Sequence, residues 1–238
     1  MSGSRVFAMP LLDFLFPTYS LRDREGEWIT PAEFSQLVSH PRLFEAQELK
    51  VMGMPSLDRV LAVSTYGGAP LLRKAIHTFK YRRLPGIGEA LERLLTESFH
   101  KHMTLRNDAC ITPVPLHFSR QFWRGFNQAE FLARSLAEST GLPLLHLLRR
   151  IRPTGHQARR TREERLSAMK GAFRVRARER AGAGTSEIPR PFPCPSPFPF
   201  CVYLIDDLFT SGATMEECAR VLKEAGVKRV EGVVLAHG

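Results

Sequence analysis

The sequence lacks paired cysteines, a long apolar run and an N-terminal targeting pattern. Its four cysteines, at positions 110, 194, 201 and 218, show no C-x-x-C spacing. A chain of 238 residues also buries enough surface to fold without disulfides or a metal. The most apolar early stretch, residues 6–17, is interrupted by Pro10 and Asp13 and is too short to span a bilayer. We therefore expect a soluble protein of the reducing cytoplasm, without membrane insertion.

The positive charge of the chain is concentrated in one segment. The formal net charge is +10, and residues 116–180 carry 15 Lys+Arg against 5 Asp+Glu. The remaining residues are balanced, with 19 of each sign. A localised positive field favours an anionic partner, either a phosphate-rich ligand or nucleic acid. The alternative is a surface whose charge only keeps the protein soluble.

Hydrophobic patterning predicts an α/β domain over residues 58–238. Strand patterns cover residues 60–66, 110–115, 144–151, 202–205 and 230–236. Helical spacing covers residues 69–79, 87–100, 128–140 and 214–225. Asn127 with Glu130 fits a capping box before the third helix, Gly141 ends it, and Gly226 ends the fourth. The last strand, helix and strand imply a parallel βαβ unit, hence a parallel sheet flanked by helices.

Two segments fall outside this pattern. Residues 1–57 are irregular and are interpreted as a small N-terminal appendage. Residues 176–200 contain six prolines among mostly small and charged residues, a composition typical of an inserted, flexible loop.

The strongest chemical signal lies in residues 202–214. Four apolar strand residues lead into Asp206 and Asp207, with residues 206–213 expected as a loop. In open α/β sheets ligands bind at the carboxyl ends of strands, and the amides at a helix start hold anions. The pattern suits a ribose 5-phosphate, with the carboxylates on the ribose hydroxyls. The phosphate would lie on Thr210, Ser211, Gly212, Ala213 and Thr214.

Details of this loop lead to further expectations. Thr214 with Glu217 fits a capping box. Gly212 lets the backbone approach a phosphate and, as a residue of a surface loop, should accept Gly212→Val without loss of the fold. The alternative interpretation is a polar turn between strand and helix that binds no ligand.

These thirteen residues resemble the loop that binds phosphoribosyl pyrophosphate (PRPP) in type I phosphoribosyltransferases. Other segments narrow the resemblance to the ComF family, also called GntX-like. They are Phe79-Lys80-Tyr81-Arg82, Pro113-Val114-Pro115-Leu116-His117, Arg120, Arg124-Gly125-Phe126-Asn127-Gln128, Arg150, Arg152, Thr154, Gln157, Arg165 and Gly171-Ala172-Phe173. The resemblance runs from about residue 11 to the C-terminus, except the Pro-rich insertion. It implies the type I phosphoribosyltransferase fold, PRPP with Mg²⁺ as ligand, and Asp206 and Asp207 as catalytic residues.

The same resemblance implies a pyrophosphate loop with Arg120, Arg124 and Gly125 as its binding residues. A strand, a turn bounded by prolines, two arginines and a glycine before a helix start also make an anion cradle on physical grounds. His117 is either a general acid or an ordinary surface histidine.

A mobile loop that closes over PRPP is implied for residues 155–170, with Arg159, Arg160 and Arg165 as its cations. The alternative is a solvated helix in which Glu163 and Glu164 pair with arginines. Arg160 stands where the family usually has an apolar residue.

The N-terminus departs from the family pattern. Family members commonly follow a phrase like that of residues 11–17 with a four-cysteine zinc finger. Ser20, Asp23, Thr30 and Glu33 stand roughly where those cysteines would be. Because such oxygen groups make a poor structural zinc site, we expect a remnant without zinc and no metal site of the chain's own.

Two functions follow as hypotheses. One is pentosyl transfer from PRPP to an acceptor that the sequence does not identify. The other is a nucleic-acid module without catalysis, linked to DNA uptake in natural transformation. Its partners would be single-stranded DNA and a helicase-like competence protein. The oligomeric state is left open.

Overall fold

The fold is a five-stranded sheet with helices on both faces. A computed structural model describes residues 21, 29–37, 40–82, 85–116, 126–153, 161–176 and 200–238. The strand order is β1-β2-β7-β6-β3, and all neighbouring strands run parallel except the antiparallel edge pair β1 and β2. The predicted α/β class, with a parallel sheet flanked by helices, is confirmed.

The elements have the following bounds. The strands are β1 (Arg42–Glu45), β2 (Arg59–Thr65), β3 (Ala109–Pro113), β4 (Leu148–Arg150), β5 (Phe173–Val175), β6 (Cys201–Phe209) and β7 (Arg229–His237). The helices are α1 (Pro31–Ser35), α2 (Ala46–Val51), α3 (Pro70–Arg82), α4 (Pro85–His102), α5 (Gln128–Thr140), α6 (Arg162–Met169) and α7 (Ala213–Glu224).

Both faces of the sheet are buried, since successive strand residues point to opposite sides. Tyr203 and Ile205 of β6 join an apolar cluster with the inward faces of α3, α4 and α5. Val202 and Leu204 join a second cluster with α2 and α7. Burial on both sides explains why the strands read as continuous apolar runs.

The central strand β6 is longer than its apolar run. Residues 206–209 were expected in a loop, and that expectation is wrong because β7 runs alongside them. Asp206 pairs with Val234, and Leu208 pairs with Ala236. The turn between β6 and α7 is therefore only residues 210–212.

The start of α7 also differs from the expected capping box. Its N-cap is Gly212, in the left-handed region at φ 74°, and this glycine has no side chain to cap the helix. Glu217 instead accepts a hydrogen bond from the Gly171 amide at 2.6 Å and pairs with Arg220 at 2.7 Å. The predicted capping box of Thr214 and Glu217 is wrong, because the helix begins before Thr214. At its other end Ala225 is the C-cap, and Gly226 follows it with φ 105°.

Asn127 caps α5 as predicted. Its Oδ1 accepts the Ala129 amide at 3.2 Å, and its Nδ2 donates to the Val114 carbonyl at 3.0 Å. Glu130 faces Arg134 and His146 rather than the cap. Gly141 ends the helix in the left-handed region, as expected.

The single strand expected over residues 144–151 is divided. Leu144 forms an isolated bridge with Ile111 at the edge of the main sheet. The strand proper, β4, is shorter and pairs with β5 in a separate two-stranded sheet.

The N-terminal region contributes to the same sheet where the structure describes it. β1 pairs with β2, and Leu49 of α2 is buried in the second apolar cluster. Thr30 and Glu33, two of the positions compared with zinc ligands, form a capping box for α1. Ser20, Asp23 and residues 177–199 lie outside the described residues. The boundary at residues 57–58 and the zinc-free remnant stay predictions.

Within the described ranges, no helix is long and apolar enough to cross a membrane. In that part of the chain there is also no group of three or more His, Cys, Asp or Glu side chains placed to hold a metal ion.

Candidate functional site

Two adjacent carboxylates lie near the carboxyl end of the central strand β6. The amide of Asp207 donates to Asp206 Oδ1 at 2.8 Å. Burial, followed by the charge of Asp207, raises the pKa of Asp206 to about 7, against the opposing influence of that hydrogen bond, Lys80 and Arg150. The acid pair therefore holds a proton more readily than two solvated aspartates would.

A cation from another helix contacts the acid pair. Lys80 Nζ, from the last turn of α3, lies 2.6 Å from Asp207 Oδ2. The two side chains are only 14% and 13% exposed. The negative charge of Asp207 is therefore already compensated by the ammonium of Lys80.

The turn after β6 leads directly into the start of α7. Thr210 is exposed, Ser211 and Thr214 are partly buried, and Gly212 and Ala213 are buried. Ser211 Oγ accepts the Ala213 amide at 3.5 Å. The first amides of a helix have no intrahelical acceptor, so this start is chemically suited to an anion.

Gly212 is enclosed by protein. A Cβ at this position would lie 2.0 Å from Met54 Sδ and 3.1 Å from Phe209 Cε2. Met54 is itself fully buried. The expectation that Gly212 lies in a surface loop is therefore wrong, because Met54 fills the space and valine there would be strained. Survival of the fold in Gly212→Val stays a prediction.

The segment around Met54 is also attached to α7 by a hydrogen-bonded carboxylate. Both oxygens of Glu216 accept the Ser56 amide, at 3.2 and 3.1 Å. Burial raises the pKa of Glu216. This acid in the first turn of α7 serves the packing of residues 54–56, a role that the sequence analysis missed.

A cleft of about 670 Å³ opens beside the acid pair, between the end of β3, the start of α5 and β4. Its lining includes four arginines, Arg134, Arg149, Arg150 and Arg176, together with His146. Glu130 also lines it and lies 2.5 Å from His146 Nε2 and 3.3 Å from Arg134. Apolar and aromatic contacts come from Pro113, Pro115, Leu116, Phe126, Phe131 and Leu148.

The cleft and the acid pair adjoin one another. Pro113 pairs with Ile205, the residue before Asp206, and the Val114 amide donates to the Ile205 carbonyl at 2.9 Å. Arg150 lines the cleft, and its charge acts to lower the pKa of Asp206. The ends of β3 and β6 thus combine carboxylates, a helix start and a basic cleft.

The structure describes only some of the predicted site residues, and their roles stay predictions. It brings Asp206, Asp207 and residues 210–214 together. Arg165 lies on α6, which packs against α7, and the helix over residues 162–169 corresponds to the alternative given for the mobile loop. Its Glu164 accepts the Thr161 amide and so caps the helix. Outside the described residues lie Arg120, Arg124, Gly125, Arg159 and Arg160, which stay predictions.

Lys80 and Arg150 are two further functional candidates, to which the sequence alone assigned no role. Both stood in motifs of the family resemblance, which was the only signal that could have identified them. Their meeting with Asp206 and Asp207 depends on the tertiary fold.

The oxygen atoms of the acid pair are of the type that binds magnesium, because carboxylate oxygens are ligands that Mg²⁺ prefers. Two carboxylates, one already paired with Lys80, do not form a complete cage. Mg²⁺ would therefore bind together with the phosphate oxygens of a ligand, as it commonly does.

Comparison with known proteins identifies relatives of the chain, from which its family follows. No protein-family model matches it. Competence protein F of Haemophilus influenzae is 28% identical over 181 residues, covering 74% of this chain and 72% of that protein. DNA utilization protein YhgH of Escherichia coli (strain K12) is 30% identical over 186 residues, covering 74% and 71%. Competence protein ComFC of Bacillus subtilis is 28% identical over 163 residues, covering 68% and 58%. With such relatives matched over most of its length, the chain belongs to the ComF family.

Proposed function

We propose that the chain binds PRPP with Mg²⁺ at the end of β6 and transfers its ribose 5-phosphate group to an acceptor. The observation that carries this proposal is the acid pair of Asp206 and Asp207, followed after one short turn by the start of α7. Carboxylates accept from hydroxyl groups, and a helix start binds phosphate. Ribose 5-phosphate carries both groups.

In this proposal each part of the site has a separate role. The amides of residues 211–214 bind the 5-phosphate, and the hydroxyls of Thr210, Ser211 and Thr214 add donors. Asp206 and Asp207 accept hydrogen bonds from the ribose hydroxyls. The negative charge that remains on the acid pair also stabilises the positive charge that develops on the ribose carbon as pyrophosphate leaves. Mg²⁺, held by the acid pair together with the ligand's phosphate oxygens, would supply positive charge to the departing pyrophosphate.

Calorimetric titration with PRPP, with and without Mg²⁺, tests the proposal. Magnesium-dependent binding supports it. Transfer is tested separately, by release of pyrophosphate when candidate acceptors are added.

Nucleic-acid binding is a second candidate, favoured by the arginine-lined cleft. The relatives' names refer to competence and DNA utilization, and we extend that role to this chain as part of the proposal. Arginines contact phosphates, and Phe126 and Phe131 offer aromatic surface for bases. Single-stranded DNA is the proposed ligand of this surface, and a helicase-like protein is the proposed partner.

Single-stranded DNA binding should be electrostatic and tolerant of sequence. Because Arg149 and Arg176 are exposed in the cleft, Arg149→Gln with Arg176→Gln should reduce the slope of log affinity against log salt by up to ~1.4, at ~0.7 per phosphate contact. Fluorescence anisotropy at several salt concentrations measures that slope.

A control variant removes two exposed arginines elsewhere, Arg73→Gln with Arg93→Gln on α3 and α4. It should keep the original slope. Binding that is insensitive to salt, or strongly selective for sequence, would contradict an electrostatic mechanism.

A further inference from the structure

Lys80 lies at the candidate site because the helix that carries it, α3, packs against the core. The inward face of α3 is buried through Leu72, Ile76 and Phe79. The Phe79 ring lies 5.1 Å from the rings of both Phe126 and Phe131. The residue after Phe79 is therefore held in place by core packing.

The ammonium of Lys80 occupies the face of Asp207 on which another cation could bind. Its Nζ lies 2.6 Å from Asp207 Oδ2, and water has little access to either side chain. A mostly buried ion pair gives little net stability, because both charges lose their hydration.

Two positive charges cannot both approach one carboxylate closely at low cost. With Lys80 in place, a divalent cation reaching Asp207 meets the ammonium at short range. Phosphate groups of a ligand would supply the negative charge that offsets this repulsion.

We propose that Lys80 is a positioning residue that acts as the resident cation of the acid pair, holding Asp207 in place and excluding free divalent cations until an anionic ligand binds. The last clause rests on the function proposed above. The exclusion of free cations from the ligand-free chain does not depend on it.

Binding of Mn²⁺ to the ligand-free full chain tests this role, with the free-ion electron paramagnetic resonance signal as the readout. Mn²⁺ is the probe because it takes the same oxygen ligands as Mg²⁺. Lys80→Met should bind Mn²⁺ at least tenfold more tightly than the unmodified chain. Lys80→Arg, which keeps the charge, should bind it no more tightly than the unmodified chain.

Two controls locate the gain at the acid pair. In Lys80→Met with Asp207→Asn the gain should be lost. Lys74→Met, at an exposed position of the same helix, should show none. If Lys80→Met does not fold, as judged by its thermal transition, Lys80→Gln replaces it, since glutamine can still donate to Asp207 without a charge.

A folded Met or Gln variant that binds Mn²⁺ no more tightly than the unmodified chain would overturn the proposal. So would a gain that survives Asp207→Asn. After subtraction of the Mn²⁺ that PRPP binds without protein, addition of PRPP should raise the Mn²⁺ affinity of the unmodified chain at least tenfold. Failure of that step alone, with the Lys80→Met gain intact, would contradict PRPP binding and retain Lys80 as the resident cation.

Discussion

Gly212→Val should unfold at a temperature roughly 5–20 °C lower than the unmodified chain, at about 2–4 °C per kcal/mol for this length. The backbone at Gly212 has φ 74°, which costs a β-branched residue about 1–3 kcal/mol. Its Cβ would also overlap Met54 Sδ at 2.0 Å, and overpacking costs about 1–3 kcal/mol more. Differential scanning calorimetry measures the shift.

Gly67→Val is the matched control. A Cβ at Gly67 would meet nothing within 4 Å, and its φ lies outside the left-handed region. Its melting temperature should stay close to that of the unmodified chain. A Gly212→Val protein that melts with the unmodified chain would contradict the packing described for Met54. Because Gly212→Val disturbs the fold, loss of PRPP binding in this variant would not by itself identify a phosphate site.

Asp206→Asn combined with Asp207→Asn should weaken PRPP binding by ~2–4 kcal/mol, because each asparagine replaces a charge-assisted hydrogen bond of ~1.5–3 kcal/mol by a neutral one of ~0.5–1.5 kcal/mol. This is an affinity loss of roughly 30-fold to 1000-fold, at about 1.4 kcal/mol per tenfold. Ribose 5-phosphate should keep residual binding, because the amides at the start of α7 are unchanged. Calorimetric titration of both ligands measures the two effects. Glu97→Gln, an exposed acid on α4, is the control and should bind as the unmodified chain does.

Asp206→Asn alone separates charge from packing. The fold raises the pKa of Asp206 to about 7 from 3.8, so the folded chain favours the protonated form. Above about pH 7 the fold must hold an ionised Asp206, which costs stability that asparagine does not incur. The variant should therefore melt higher than the unmodified chain at pH 8.5, and this gain should shrink as the pH falls towards 4. A loss of stability at pH 8.5 would contradict the raised pKa of Asp206.

The central βαβ unit could be predicted because its signals are local. Four apolar residues, an acid pair and helical spacing stand within residues 202–225. The full length of β6 could not be predicted, because residues 206–209 are strand only by pairing with β7. The same holds for residues 144–151, whose division depends on Ile111 and β5.

The side-chain contacts of the site could not be predicted from the sequence for a similar reason. Met54 against Gly212, Ser56 against Glu216 and Lys80 against Asp207 each join segments far apart in the chain. Composition placed an excess of arginine in residues 116–180, and the structure shows Arg134, Arg149, Arg150 and Arg176 of that segment lining one cleft. Side-chain contacts between distant segments depend on the topology of the fold rather than on a local sequence pattern.

The most direct test of the central claim is calorimetric titration of the unmodified chain with PRPP, with and without Mg²⁺. The account predicts saturable binding of one PRPP per chain that strengthens when Mg²⁺ is present. Ribose 5-phosphate should compete for the same site. An unmodified, folded chain that binds neither PRPP nor ribose 5-phosphate, with or without Mg²⁺, would contradict the assignment of Asp206, Asp207 and the start of α7 as a PRPP site.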